Sequence, residues 1–467
     1  MGKKLLIGIF YITVFIAGVC WLSPGKALGV SAPTNIKVGL STTDLTSDIK
    51  IEAGSYQVLA DGNPITTAGP GSQWRAVFSS QKIQFASVST DSNYSAGNYK
   101  SIVLTPTGDA NPSLFSYKGK RYRGSVSITL NLTDTAMVII NELPLEQYLY
   151  GVLPKEMSNE WPLEALKAQA VAARTYAAKN QVKHGADGFS VCNANHCQVY
   201  GGYDCEGELC RQAVDASAGQ VLIDDQGTLI YALYNSNSGG YTEDNRNVFG
   251  SDFSYLKGKP DPYSMGYGLS DWSLQISLAP DGTGKSLYDL LRVKNPDIAY
   301  ISSVSLTKYP SGRVSTVTIT DTNGKQLQMT GSDFGKLFNP GFSTTVNKQS
   351  FMSNMFDISS DASYSVVNGY GEIINLNGGL SGWTVRNQSL ILPFNWGSNS
   401  FQVMTSSGLQ TYQKSPGALQ IVGHGWGHGV GMSQWGAYSA AKQGLSYTDI
   451  LSFYYESTSL VTLLCSE

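Results

Sequence analysis

The residues of this chain best suited to chemistry begin at Pro154, in PKEMSNEWPLEALKAQAVAARTYA. Glu156 lies on a turn just before an Ala-rich helical segment, with Met157 and Trp161 close in sequence. Such surroundings can desolvate a carboxyl, raise its pKa and make it a general acid near neutral pH. A lone Glu on a turn is equally well a plain surface charge. The helix that follows carries Leu163, Leu166, Ala170, Ala173 and Ala177 on one side and Val171 and Ala178 on the other. At 100° per residue Lys167 and Arg174 point into the middle of that apolar stripe, two turns or about 10 Å apart. Two cations on one seam can snorkel to the edge of a core. Alternatively they floor an anion-binding cleft, since an unpaired buried charge costs several kcal/mol. The pattern leaves both readings open.

A second constellation is IVGHGWGHGVGMSQWGA, Ile421 to Ala437, which holds two of the four histidines. If the run is extended, His424, Trp426, His428 and Val430 share one face and glycine leaves the other bare. A bare face admits a sugar ring or another strand. GMSQW has Trp435 where a nucleophile elbow needs glycine, so Ser433 is a poor hydrolase nucleophile. The histidines lack the H-E-x-x-H spacing of a metallo-hydrolase.

Cys192, Cys197, Cys205 and Cys210 cluster as two C-x4-C pairs. In an oxidising compartment local disulfides are the plainer expectation. His196 makes zinc the rival, with His196, Cys197, Cys205 and Cys210 as candidate ligands. The spacing fits no standard zinc pattern, which puts disulfides ahead.

These groups need positioning elements. Residues 1–29 read as a signal peptide or membrane anchor: Lys3 and Lys4, an apolar run from Leu5 to Leu22, then Ala27 and Gly29. The rest is then expected outside the cytoplasm, with membrane contact only through that segment. Removing it takes the formal charge from -3 to -6, and no basic stripe appears elsewhere, which disfavours nucleic acid. With 467 residues, 42% apolar and 14% charged, the chain is globular and long enough for two or three domains. Residues 30–112 form an N-terminal β-rich region. In it, DIKIEAGSYQVLADGNPI pairs two short strands around Gly54 and turns at Asp61-Gly62. SVSITLNL and TAMVIINEL alternate as strands. LEQYLYGVLPKEM reads as a short helix or turn broken at Pro154. The Ala-rich helix follows, with Pro162 in its first turn and its end near Gly185. Residues 113–467 form the main domain, with a β-rich subdomain inserted at about 296–385. YSAAKQ and SYTDILSFYYE close the chain as helices, the latter with Ser446 and Asp449 as a capping box. The expected class is α+β, mostly antiparallel β with a few helices lining a substrate cleft.

PLEQYLYGVLPKEMSNEWPLEALKAQAVAARTYA, HCQVYGG, AVDASAGQVL, YNSNSGGYTED and GHGWGHGVGMSQWGAYSAAKQGLSYTDILSFYY, in this order, resemble the stage II sporulation protein D or amidase-enhancer family. The resemblance covers roughly Phe115 to Thr462. It implies a bacterial cell-wall role. The family's sporulation members are lytic transglycosylases acting on peptidoglycan strands stripped of stem peptides; its enhancer members grip the wall and stimulate a separate amidase. It places the catalytic acid on Glu156 and two required positions on Lys167 and Arg174. It implies further substrate contacts at Gln198, Tyr200, Ser238, Thr242, His424, His428, Ser433 and Gln434. No cofactor is required; some relatives bind zinc near His196 with other spacing. Trp435 stands where the family usually has Tyr. Stripped strands expose lactyl carboxylates, which Lys167 and Arg174 would suit. Cations touching Glu156 would lower its pKa, so both are expected to stand clear of it.

Overall fold

The computed structural model describes residues 34–88, 97–108, 112–338 (apart from 269, 279 and 281–283), 351–360 and 418–463, and the backbone of short paired strands between 363 and 413. Residues 1–29, expected to be a signal peptide or anchor and carrying Cys20, fall outside the described residues, as does Cys465. Among these residues no helix is long and apolar enough to cross a membrane.

The protein is α+β with mostly antiparallel sheets, as the pattern predicts. Two sheets build the N-terminal part. One runs 191–192, 35–44, 137–144, 125–130, 101–107, 55–60, 63–68 in spatial order; the other runs 120–123, 114–117, 46–53, 73–79, 82–87, 97–99. Alternate residues of both, Ile36, Val38, Ile49, Ile51, Tyr56, Val58, Trp74 and Phe85 among them, enter one apolar cluster. Strands 114–117, 125–130 and 137–144 therefore pair with strands on the N-terminal side of position 112. The two strands flanking Gly54 do not pair with each other. Glycine instead marks the point where the chain leaves one sheet for the other, and the hairpin lies at Asp61-Gly62, joining 55–60 to 63–68. Val126 and Ile128 are buried as the alternation predicts, but Leu132 lies beyond the strand and is exposed.

Helices then take over. Helix α1, Leu145–Glu156, runs through Pro154 instead of stopping there. The ring falls in the last turn, where only one backbone bond is forfeited. Helix α2, Leu163–Lys179, ends at Asn180, about a turn earlier than expected. It is buried almost all round, which Ala at 165, 168, 170, 172, 173 and 177 permits by letting neighbours approach closely. It packs against α1, against α3 (Glu208–Ala216), and against α4 (Gln434–Lys442) and α5 (Tyr447–Tyr454) from the far end of the chain. The capping box of Ser446 with Asp449 is present.

Between these helical halves the chain builds a second body. Strands 271–277 and 355–360 flank 418–424, and 301–308, 314–321 and 326–330 form a separate sheet. Its core draws on residues from Trp272 through Phe334 to Ile421, a wider span than 296–385.

Candidate active site

Glu156 is the last residue of α1, and its carboxyl faces polar groups from different parts of the chain. Gln434 Nε2, at the start of α4, donates to Oε2 at 3.2 Å. The Val199 amide and the Tyr234 hydroxyl lie close enough to favour its ionised form. Burial outweighs these groups and raises the pKa above the ordinary carboxylate value. The residue nevertheless keeps part of its surface accessible. The acid is thus desolvated, oriented and reachable, the combination required of a general acid.

The Tyr234 hydroxyl is itself oriented. Gln198 Nε2 donates to it at 3.1 Å and to the Ala173 carbonyl at 3.2 Å, while Gln198 Oε1 accepts from Tyr148 at 3.2 Å. With its acceptor side taken by Gln198, the Tyr234 hydroxyl is free to donate on its Glu156 side. Burial holds the Tyr234 pKa well above its usual value, so it remains a donor.

His428 braces the backbone of the same tyrosine. Its Nδ1 accepts from the Val430 amide at 3.0 Å, and the ring lies beside the Tyr234 main chain. Burial, with the Arg313 guanidinium nearby, pushes its pKa down to about 4. The low pKa favours the neutral imidazole, with Nδ1 engaged inside the protein. The expected shared face of His424, Trp426, His428 and Val430 does not form. Strand 418–424 ends at His424, and Gly425, Gly427, Gly429 and Gly431 all have φ between 71° and 101°, which breaks the extended alternation. His424 instead pairs with Asp271 at 2.7 Å.

The two cations that the helix pattern singles out have different fates. Neither touches Glu156, as expected. Arg174 is fully buried and forks onto Glu146 of α1, Nε to Oε1 at 2.8 Å and Nη2 to Oε2 at 2.6 Å. Two more of its protons go to the carbonyls of Val214 and Gln220, each at 3.2 Å. This corrects the expectation of a substrate-binding Arg174: the guanidinium is engaged inside the protein and ties α1, α2, α3 and the strand Gln220–Ile223 together. Lys167 is mostly buried, pairs with Glu164 one turn back, and lies over the Tyr447 ring, 4.5 Å from its centre.

Other expected substrate contacts lie one layer behind the surface. Tyr200 is buried among Tyr122 and Tyr148, its hydroxyl donating to Asn141. Ser238 donates to Asp261 at 2.6 Å, and Thr242 bonds the Lys257 and Lys259 carbonyls. Ser433 caps α4 by accepting from the Gly436 amide. Each is buried, so these four position the site and cannot meet a substrate directly in this conformation.

Behind them stands a lock that sequence reasoning missed. Asp261, wholly buried, accepts from Ser238 and from the Tyr454 hydroxyl at 3.0 Å. Arg313, on the turn joining strands 301–308 and 314–321, donates to the carbonyls of Ser238 at 2.6 Å and Tyr241 at 2.8 Å. From the same turn Ser311 donates to buried Glu243. A Cβ on Gly429 would lie 2.1 Å from the Arg313 guanidinium. Only glycine lets that close approach happen.

The cysteine expectations also change. Cys192, Cys197, Cys205 and Cys210 are all free thiols. Cys205 donates to the Gly151 and Gly202 carbonyls, and Cys210 is buried on α3, so neither belongs with His196. In their place stand His184 and Cys192. Cys197 Sγ lies 3.4 Å from His184 Nε2 and 3.6 Å from His196 Nδ1, Cys192 Sγ lies 3.7 Å from His196 Nδ1, and all four ligand atoms fall within 4.8 Å of one another. Two thiols and two imidazoles so gathered suit a tetrahedral metal of zinc's size.

The segment carrying Glu156, both cations and this cluster, residues 133–223, matches the family model described as stage II sporulation protein, SpoIID. The resemblance read from the motifs holds. Among individual proteins, the chain is 30% identical to the amidase enhancer of Bacillus subtilis over 429 residues, 90% of this chain and 53% of that protein. It thus spans about half of that relative. It is 25% identical to stage II sporulation protein D of the same species over 358 residues, 73% of this chain and 82% of that one. A Brachyspira hyodysenteriae protein is 29% identical over 78% of each chain.

Proposed function

We propose that this protein acts outside the cytoplasm on bacterial peptidoglycan, as a lytic transglycosylase that cuts glycan strands stripped of stem peptides. The observation that carries the reading is an accessible carboxyl, Glu156, held by Gln434, with burial raising its pKa above the ordinary value. Glu156 gives its proton to the glycosidic oxygen as the bond to the muramic C1 breaks. The carboxylate then takes the proton of that sugar's 6-hydroxyl, whose oxygen closes onto C1 and leaves an anhydro end. One carboxyl serves both steps, unlike the paired carboxyls of ordinary glycoside hydrolases. Incubating the protein with stripped strands should yield anhydro-muramic ends by mass spectrometry. Their absence from an active preparation would overturn the reading.

The similarity to a protein named amidase enhancer favours a second reading, in which the same groove grips the wall and stimulates an amidase without cutting. Amidase stimulation that survives Glu156→Gln, with no anhydro ends from the unaltered protein, would select it.

We further propose zinc at His184, Cys192, His196 and Cys197. Four protein ligands would leave no open position, so the metal would supply structure, fastening residues 184–197 beside the strand at Asn35–Asp44. Metal analysis should find about one zinc per chain. A chelator should lower the melting midpoint, and added zinc should restore it.

A further inference from the structure

With Arg174 engaged in the interior, an extended glycan strand must find other contacts beyond the cleavage point. The aromatic side chains beside Gln434 supply an answer. Gln434, Tyr438 and Lys442 lie four residues apart on α4, so they form one ridge, each step about 6 Å along the axis. The ridge starts at the residue that holds Glu156. Trp435 and Tyr438 pack with Trp161, from the turn that follows Glu156, at ring separations of 4.6 and 5.0 Å. Tyr267 adds a fourth ring, 5.7 Å from Tyr438. Its loop lies against the Trp435 indole because Gly268, at φ 63°, has no Cβ to strike it. All four rings keep accessible surface, and Tyr267 is 39% exposed. Lys442 is exposed, makes no ion pair among the described residues, and stands 5.8 Å over the Tyr438 ring.

Such a cluster could merely weld α4 to its neighbours. Partly exposed rings from three chain segments, continuous with the acid and ending in a cation, fit a ligand better. Aromatic faces attract the polarised C–H groups of a pyranose face. We infer that Trp161, Trp435, Tyr438 and Tyr267 form a ledge for successive sugar rings of a β-1,4-linked N-acetylhexosamine strand, and that Lys442 meets a free lactyl carboxylate on it. This inference rests on the reading of Glu156 as the acid of a glycan-cutting site.

The test uses the full chain with Glu156→Gln, so that strands bind without being cut, and calorimetry with two probes. One is chitin oligomers of defined length; the other is stripped peptidoglycan strands. Affinity should rise with oligomer length. Tyr267→Ala, on an exposed loop, and Tyr438→Ala should each weaken both probes by roughly tenfold, a ring contact's worth of affinity. Tyr438→Phe should restore binding. Lys442→Ala should weaken the stripped strands alone. If Tyr267→Ala and Tyr438→Ala, with unchanged melting midpoints, bind both probes as the parent does, the ledge is wrong while the cleavage reading stands. If the parent binds neither probe and the unaltered protein makes no anhydro ends, the cleavage reading falls and the ledge with it.

Discussion

Glu156 and Asp261 are both acids withdrawn from water, and in both burial raises the pKa above the ordinary value. Asp261 has no exposed surface, and the Ser238 and Tyr454 hydroxyls close over its oxygens. Glu156 sits at a helix end, held from behind and open in front. The contrast shows that a carboxyl's attachment to its proton does not by itself mark a catalytic group. What distinguishes the two is whether a face remains for something to receive that proton.

The sharpest way to break the comparison is Glu156→Gln. Loss of an acid–base group should cut cleavage by about 100 to 10,000-fold, measured as anhydro ends formed per minute. The fold should not suffer. With its folded pKa above the usual 4.5, Glu156 holds a proton that the unfolded chain releases, so stability falls as pH rises from 4.5 through the folded value. Glutamine has no such proton to lose, and its melting midpoint at pH 7 should equal or exceed the parent's. Asp261→Ala should behave in the opposite sense. It strands two buried hydroxyls and should lower unfolding free energy in urea by about 3 kcal/mol, with much less effect on turnover per folded molecule.

Tyr234→Phe sharpens the account of Glu156 itself. The hydroxyl favours the ionised carboxyl, so its removal should raise the pKa further. Cutting needs the protonated acid, and the alkaline limb of the pH–rate profile should therefore move to higher pH. The plateau should fall by roughly tenfold for one lost hydrogen bond to a charged group. The smallest effect is expected at His428. Its pKa drops from the usual 6.5 to about 4 on folding, so the unfolded chain binds more protons between those values. Stability from this group is complete above 6.5 and is lost as pH falls toward 4. His428→Gln should flatten the melting midpoint over that window; an unchanged slope would remove the histidine from the brace.

Much of this arrangement is legible in the residues. The Ala-rich helix, the acid before it, the closing helices and the strand alternation all rest on local periodicity, which the fold keeps. The roles of Arg174 and His428 were not legible, because their partners lie far away in sequence or on the main chain. Glu146, 28 residues before Arg174, carries no mark identifying it as the carboxylate that closes the fork. Tyr234 opens YNSNSGG, yet only its pairing with Met432 brings its hydroxyl near Glu156. His184 precedes His196 by a spacing outside familiar zinc patterns, so only the folded loop joins them. Arg313 gave no signal at all, since an arginine on a Gly-containing turn ordinarily faces solvent.

That arginine bears on any attempt to shorten the protein. The body between Asp271 and His424 could be taken for a detachable accessory, because it has its own apolar core. Yet its turn reaches back as a key into the main body, engaging the carbonyls of Ser238 and Tyr241 and filling the space that Gly429 leaves. A version trimmed of this body would lose the peg under the histidine loop, however neatly the cut ends were rejoined.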